Sequence, residues 1–186
     1  MIRTRVGYAG GRAQNPTYRR IGDHTETVQV DFDPARISYA ALLEVFWSAH
    51  TPTDRARSGQ YMRAVFYYDE EQQKIALRSK AALEEKLGRT VHTPILPIRS
   101  FTAAEEYHQK YLLKHQTDIL REMQRIYPRH EEFVDSTAVA RLNGYAGGFG
   151  TEEQLAREIG SLGLSAAVQK ALEERVRRRS GRGLFN

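Results

Sequence analysis

Between Thr25 and Leu87 the hydrophobic period alternates between two and 3.6, and that switching restricts the fold more than any other feature. Val28, Val30 and Phe32 alternate with Thr27, Gln29 and Asp31, which predicts a strand from about Thr25 to Phe32. Leu42, Val45, Phe46 and Ala49 recur at helical spacing, which predicts a helix over Ser38 to His50 with Ser38 as its N-cap. Alternation returns over Tyr61 to Tyr68. A second helix is then predicted from Asp69, with Gln72 at capping-box spacing, to Leu87, with Gly88 as its stop. Ile95 to Ile98 reads as an edge strand because prolines stand at 94 and 97. A helix carrying Tyr107, Tyr111 and Leu112 is expected next. Beyond Thr117 the pattern is helical throughout, with amphipathic stretches at Ile119 to Ile126, Thr151 to Ile159 and Ser165 to Arg177. Strands followed by a helical run predict an α+β core, with residues 117–186 as a helical C-terminal extension.

Composition removes several function classes. No apolar run approaches the roughly 20 residues that cross a bilayer, and the N-terminus has no signal-peptide core, so a cytoplasmic protein without membrane contact is expected. The 186 residues contain no cysteine, hence no disulfide, no thiolate nucleophile and no thiolate metal site. The net charge is +5, and residues 173 to 186 carry five arginines against two glutamates. Such a tail can bind phosphates, but its ordinary role is that of a solvated extension, so nucleic acid is not the expected partner.

Gly-Tyr-Ala-Gly-Gly occurs twice, at 7 to 11 and at 144 to 148. The flanks differ, so this is not a structural repeat. The second copy leads into Thr151 and Gln154, again at capping-box spacing, and reads as a turn. Glu26 shares the parity of Val28, Val30 and Phe32, so it is expected on their apolar face. Burial there would raise its pKa toward that of a general acid working near neutral pH. The plainer alternative is a strand-end carboxylate still reaching water. Tyr18, in a polar loop, and Tyr61, at a strand start, can each offer a phenol to a substrate oxygen, or can be amphipathic rim residues. His24 and Glu26 share a face, but no third metal ligand is identifiable and no metal is expected. Phe46 and Trp47 read as core.

Ordered blocks of residues carry a resemblance. Thr4-Arg5-Val6-Gly7-Tyr8-Ala9-Gly10-Gly11 is followed by Asn15-Pro16-Thr17-Tyr18, by Asp23-His24-Thr25-Glu26-Thr27-Val28, and by Asp33-Pro34. Further on come Leu42-Leu43-Glu44-Val45-Phe46-Trp47, Gln60-Tyr61-Met62-Arg63 and Phe101-Thr102-Ala103-Ala104-Glu105-Glu106-Tyr107-His108-Gln109-Lys110-Tyr111. Over residues 1–116 the chain resembles the methionine sulfoxide reductase A family. The resemblance implies a ferredoxin-like α/β plait that reduces methionine-S-sulfoxide, free or in proteins, without a cofactor and with thioredoxin or another thiol as reductant. It implies that Glu26 is the acid, that Tyr18 and Tyr61 hold the sulfoxide oxygen, and that Tyr107 lines the substrate site.

The chain also departs from the family. The family's nucleophile lies in a Gly-Cys-Phe-Trp motif upstream of the first block, on a segment that also carries the methyl pocket, the first strand and the first helix. Its absence leads to the expectation of a truncated reading frame, with Met1 on a valine-type codon taken as the start. A stop-like codon upstream would explain that choice, and selenocysteine at the nucleophile position is one cause. The loop before Gln60 is short, so the family's aspartate has no clear counterpart (Asp54 matches poorly), and no resolving cysteine follows. The rival reading is a non-catalytic module that binds a sulfoxide or a partner protein.

Overall fold

The computed structural model describes residues 1–55 and 59–182, with side chains described through Arg179. It comprises five strands and eight α-helices among these residues: β1 (Arg3–Ala9), β2 (Thr25–Asp31), α1 (Tyr39–Ser48), β3 (Val65–Tyr67), α2 (Glu70–Leu87), β4 (Ile95–Pro97), β5 (Phe101–Ala103), α3 (Tyr111–Lys114), α4 (Thr117–Ile126), α5 (His130–Asp135), α6 (Thr137–Ala146), α7 (Glu152–Glu158) and α8 (Ala166–Arg182). The fold is mixed α and β. Two compact units divide it: Met1 with Val6–Glu105, and Ile2–Arg5 with the chain from Glu106 onward.

In the first unit β1 lies between β2 and β5, and β3 pairs with β4 in a second, two-stranded sheet. The β1–β5 pairing is antiparallel, with Tyr8 opposite Thr102, and the β3–β4 pairing is parallel. The capping residues behave as their chemistry requires. Ser38 Oγ accepts from Ala41 N at 3.1 Å and starts α1, and Asp69 accepts from Gln72 N at 2.8 Å and starts α2. The Gln72 side chain reaches back to Tyr68 N, one residue before the cap, so the reciprocal half of the box is displaced. Gly88 ends α2 in the left-handed conformation at φ 60°. Leu43, Trp47, Val65, Ala76 and Val91 form the core, and Trp47 Nε1 donates to Ser79 Oγ at 2.7 Å, so the one indole N–H is satisfied.

Two expectations need correction, and one strand goes unpredicted. The strand predicted over Tyr61 to Tyr68 shrinks to Val65–Tyr67, because Gly59–Tyr61 curls into a 3-10 turn. Phe101–Ala103 is a strand that alternation over three residues is too short to reveal. The expected helix around Tyr107 is a 3-10 turn at Glu106–His108 followed by the single-turn α3.

Gly7 shows how closely β1 and β5 approach. A Cβ there would stand 2.3 Å from the Thr102 carbonyl oxygen and 2.5 Å from Phe101 Cζ. Gly7→Ala is therefore expected to force the two strands apart at a cost of about 1–3 kcal/mol, read as a lowered denaturation midpoint.

The second unit is helical and has its own core of Leu113, Ile119, Met123, Leu142, Leu155 and Leu172 with their neighbours. Residues 2 to 5 belong to it because side chains fix them there. Arg5 grips Asp135 with two hydrogen bonds of 2.8 Å, Arg3 adds a third at 3.1 Å, and Lys110 Nζ donates to the Thr4 carbonyl at 2.7 Å. The Thr151–Gln154 capping box forms as predicted. Through Arg179 the basic C-terminal stretch is part of α8, which buries Leu172 and Val176 while Arg177, Arg178 and Arg179 stay exposed. Arg175 pairs with Asp118, Arg177 with Glu152 and Arg178 with Glu174, while Arg179 donates to the Tyr145 carbonyl at 2.8 Å. The remainder of that stretch lies outside the described side chains. The second Gly-Tyr-Ala-Gly-Gly is also corrected: its first three residues finish α6 instead of making a turn, and Tyr145 is buried.

Candidate active site

Around the first Gly-rich segment, side chains replace regular structure. The segment Arg12 to His24 has little secondary structure, so its backbone groups need other partners. The Asp23 carboxylate accepts from Arg12 N and Ala13 N at 2.9 and 3.0 Å, and these amides hold it below the usual carboxylate range. His24 is buried. Its Nδ1 accepts from Gly11 N at 3.2 Å, so Nε2 carries the proton it donates to the Ala13 carbonyl at 2.9 Å. Both ring nitrogens are thereby used within the fold. Among the described residues no group of three or more metal-binding side chains exists.

Tyr18 sits at the tip of this loop, in a tight turn closed by hydrogen bonds between Thr17 and Arg20. Its backbone N–H donates to Glu105 Oε1 at 3.0 Å. Tyr61 ends the 3-10 turn, which two side-chain contacts fasten to the start of β2. Thr25 Oγ1 donates to the Gly59 carbonyl at 3.1 Å, and Gln60 Nε2 donates to Glu26 Oε1 at 2.6 Å. These contacts set Tyr61 beside Glu26, and Tyr18 joins them: Tyr61 shares a side-chain hydrogen bond with Tyr18, and Glu26 lies within electrostatic reach of the Tyr61 phenol. The charge that Tyr18 develops, the hydrogen bond with it, slight burial and the Glu26 charge together hold the Tyr61 phenol above its ordinary value.

Glu26 does not occupy the buried face predicted for it. Its side chain is exposed, and Val28, two residues on, is 58% exposed. Parity correctly groups Glu26 with Val28 and Val30, but that face of β2 opens onto a groove of about 480 Å³ instead of packing into a core. Phe32, Leu42, Phe46 and Phe66 also line the groove, and its charged lining residues are Glu26 and Arg63. The site thus combines an accessible carboxyl, two accessible phenols and an adjoining apolar surface. That set can hydrogen-bond a polar oxygen and shelter an apolar substituent beside it.

Tyr107 lies in the second unit, 56% exposed, with its ring 4.1 Å from that of His108. Asp54 is loosely paired with Arg63 at 3.8 Å, and residues 56 to 58 of the same loop lie outside the described set. Gln60 and Glu105 were not singled out from the sequence. Each stands beside or within a motif, Gln60 before Tyr61 and Glu105 before Glu106-Tyr107, yet neither has a pattern of its own.

A family model described as peptide methionine sulfoxide reductase matches residues 1–142. The peptide methionine sulfoxide reductase of Drosophila melanogaster is 37% identical over 100% of this chain and 75% of its own length. That of Lactuca sativa is 44% identical over 60% of this chain and 47% of its own, and MsrA of Methanothermobacter thermautotrophicus is 44% identical over 61% and 74%. Among solved structures, reduced Mxr1 from Saccharomyces cerevisiae superposes with a TM-score of 0.56 at 31% identity, covering 61% of this chain and 71% of that one. The chain therefore spans between about half and three-quarters of these relatives. With its ordered blocks, its family-model match and its similarity to a solved relative, the chain belongs to the peptide methionine sulfoxide reductase family.

Proposed function

We propose that this chain supplies the proton donor and the oxygen clamp for reduction of methionine-S-sulfoxide, free or in proteins. The meeting of Tyr18, Tyr61 and Glu26 carries this reading. A sulfoxide oxygen bears partial negative charge and accepts hydrogen bonds. Two phenols side by side can each donate to it, and a carboxylic acid within reach can protonate it as the S–O bond breaks. A thiolate sulfur must attack the sulfoxide sulfur, and these 186 residues contain no cysteine. Net, one sulfoxide and two thiols become one sulfide, one disulfide and water. The electrons come from thiols, with a thioredoxin-type protein as the proposed reductant and no bound cofactor. Tyr107 is proposed as a further substrate-lining residue. We read the alternating strands and helices of the first unit as a ferredoxin-like α/β plait, the family core as residues 1–116 with 117–186 as its helical extension, and the setting as cytoplasmic.

A binding titration tests the reading without requiring turnover. N-acetyl-methionine amide S-sulfoxide, added to the labelled protein and followed by NMR, is expected to shift the Tyr18 and Tyr61 resonances and to bind more tightly than the R epimer. Tyr61→Phe removes one donor and is expected to weaken S-epimer binding about five-fold. Equal affinity for both epimers, or shifts confined to other residues, would reject it.

A further inference from the structure

Tyr18 is exposed on a loop of little regular structure in which Pro16 is buried, and polar contacts must hold its ring beside Tyr61. The Asp23 and His24 contacts fasten residues 11 to 13, and the Thr17–Arg20 bonds are internal to the turn. The Tyr18 N–H donates to Glu105 Oε1 at 3.0 Å and so ties the turn itself to a strand-bounded part of the unit. The other oxygen of that carboxylate accepts from Tyr8 Oη at 2.6 Å.

The far end of this bridge is well fixed. Tyr8 is 2% exposed and lies within β1, where it faces Thr102 of β5. Glu105 follows β5 by two residues, and Ala104 N donates to the Val6 carbonyl at 3.0 Å, which extends the β1–β5 pairing to the residue before it. The carboxylate therefore has a backbone held on one side and a phenol anchored in the sheet on the other. A hydrogen bond to an ionised acceptor is about twice as strong as a neutral one. The side chain also spans both donors, which a shorter one does not.

We propose that Glu105 is a positioning residue: bridging Tyr8 and Tyr18, it holds the Tyr18 phenol against Tyr61. This rests on the reading of Tyr18 and Tyr61 as the oxygen clamp, but its structural half can be tested apart from it. Glu105 touches neither substrate nor reacting atoms in this scheme and acts through Tyr18.

The protein, with its tyrosines labelled at Cζ with ¹³C, is titrated by NMR as wild type and as Tyr18→Phe, Glu105→Ala, Glu105→Asp and Glu105→Gln, and each is titrated with the S-sulfoxide. Tyr18→Phe sets the midpoint that Tyr61 takes without its neighbour. Glu105→Ala and Glu105→Asp are expected to move Tyr61 down toward that midpoint and to weaken sulfoxide binding about five-fold. Glu105→Gln keeps the length and an acceptor for the Tyr18 N–H but loses the charge, and is expected to restore both readouts in part, well above Glu105→Ala and Glu105→Asp. If Glu105→Ala leaves Tyr61 at its wild-type midpoint while Tyr18→Phe lowers it, the positioning role is wrong. If Tyr61 falls in both variants but sulfoxide affinity moves in neither, Glu105 still positions Tyr18 and the oxygen-clamp reading fails instead. Should Glu105→Ala not fold, amide exchange in the wild type decides. The Tyr18 N–H is expected to exchange at least about ten-fold more slowly than an open loop amide, and exchange at the open rate overturns the proposal.

Discussion

Leu142→Ala is expected to destabilise the helical unit by about 2–5 kcal/mol, among the largest effects of any single truncation in this chain. Leu142 lies on α6, is fully buried, and belongs to one continuous cluster with Leu113, Ile119, Met123, Leu155 and Leu172. The neighbouring Asn143 already fixes the geometry. Its side-chain oxygen accepts from Leu113 N at 3.0 Å, pinning α3 to α6 so that the wall beside Leu142 has little freedom to collapse. A cavity that cannot collapse keeps its full cost, whereas Leu142→Met, which conserves volume, is expected to cost less than about 1.5 kcal/mol. Urea denaturation followed by helical ellipticity measures both. A loss below about 1 kcal/mol for the alanine variant would mean that α6 is not packed as described.

The second large effect is a dependence on alkaline pH. Lys110 is 5% exposed, and burial, reinforced by the charge of Arg5, brings its ammonium down from 10.5 to about 8, with Asp135 opposing. In the unfolded chain it titrates near its ordinary value. Between these two values the unfolded state therefore binds more protons than the folded one, and stability rises with pH. Below pH 8 the folded protein bears the full penalty of a buried charge. Deprotonation relieves it by an order-of-magnitude 3 kcal/mol by pH 10.5. Buried Tyr145 and half-buried Tyr39 act in the opposite sense. Burial raises both phenols, so the folded state keeps protons that the unfolded state loses, and stability falls as pH passes 10. The clean window is thus pH 8 to 10. There the wild type is expected to gain stability; Lys114, whose ammonium burial also lowers, contributes in the same direction, so Lys110→Met is expected to lose most of the rise rather than all of it. A wild-type profile no steeper than that of Lys110→Met would show that the amine is solvated.

Local chemistry was the most legible part of the sequence. Ser38, Asp69, Gly88 and Thr151 all mark helix ends where their side chains or backbone freedom place them, because capping is settled within three or four residues. Alternation was legible for β2 but not for the three residues of β5, and the helices α5 and α6 carry too few turns between polar residues to stand out. At the site, parity told which residues accompany Glu26 but not whether their face meets protein or an open groove. That depends on neighbours distant in the chain. The hydrogen bond between Tyr18 and Tyr61 joins positions 43 apart, and Glu105 reaches Tyr18 across 87 residues, so no window of sequence contains either contact.

The two copies of Gly-Tyr-Ala-Gly-Gly end in different conformations: the first lies at the end of β1 and the second at the end of α6. In both, the tyrosine is buried and the strand or helix ends by the alanine, so the composition alone fits either state. A short pattern of this kind therefore works poorly as a family barcode. A genome scan keyed to the five letters would score this protein twice, once at the end of β1 and once at the end of α6. Requiring Thr-Arg-Val immediately before the string keeps the first hit and discards the second.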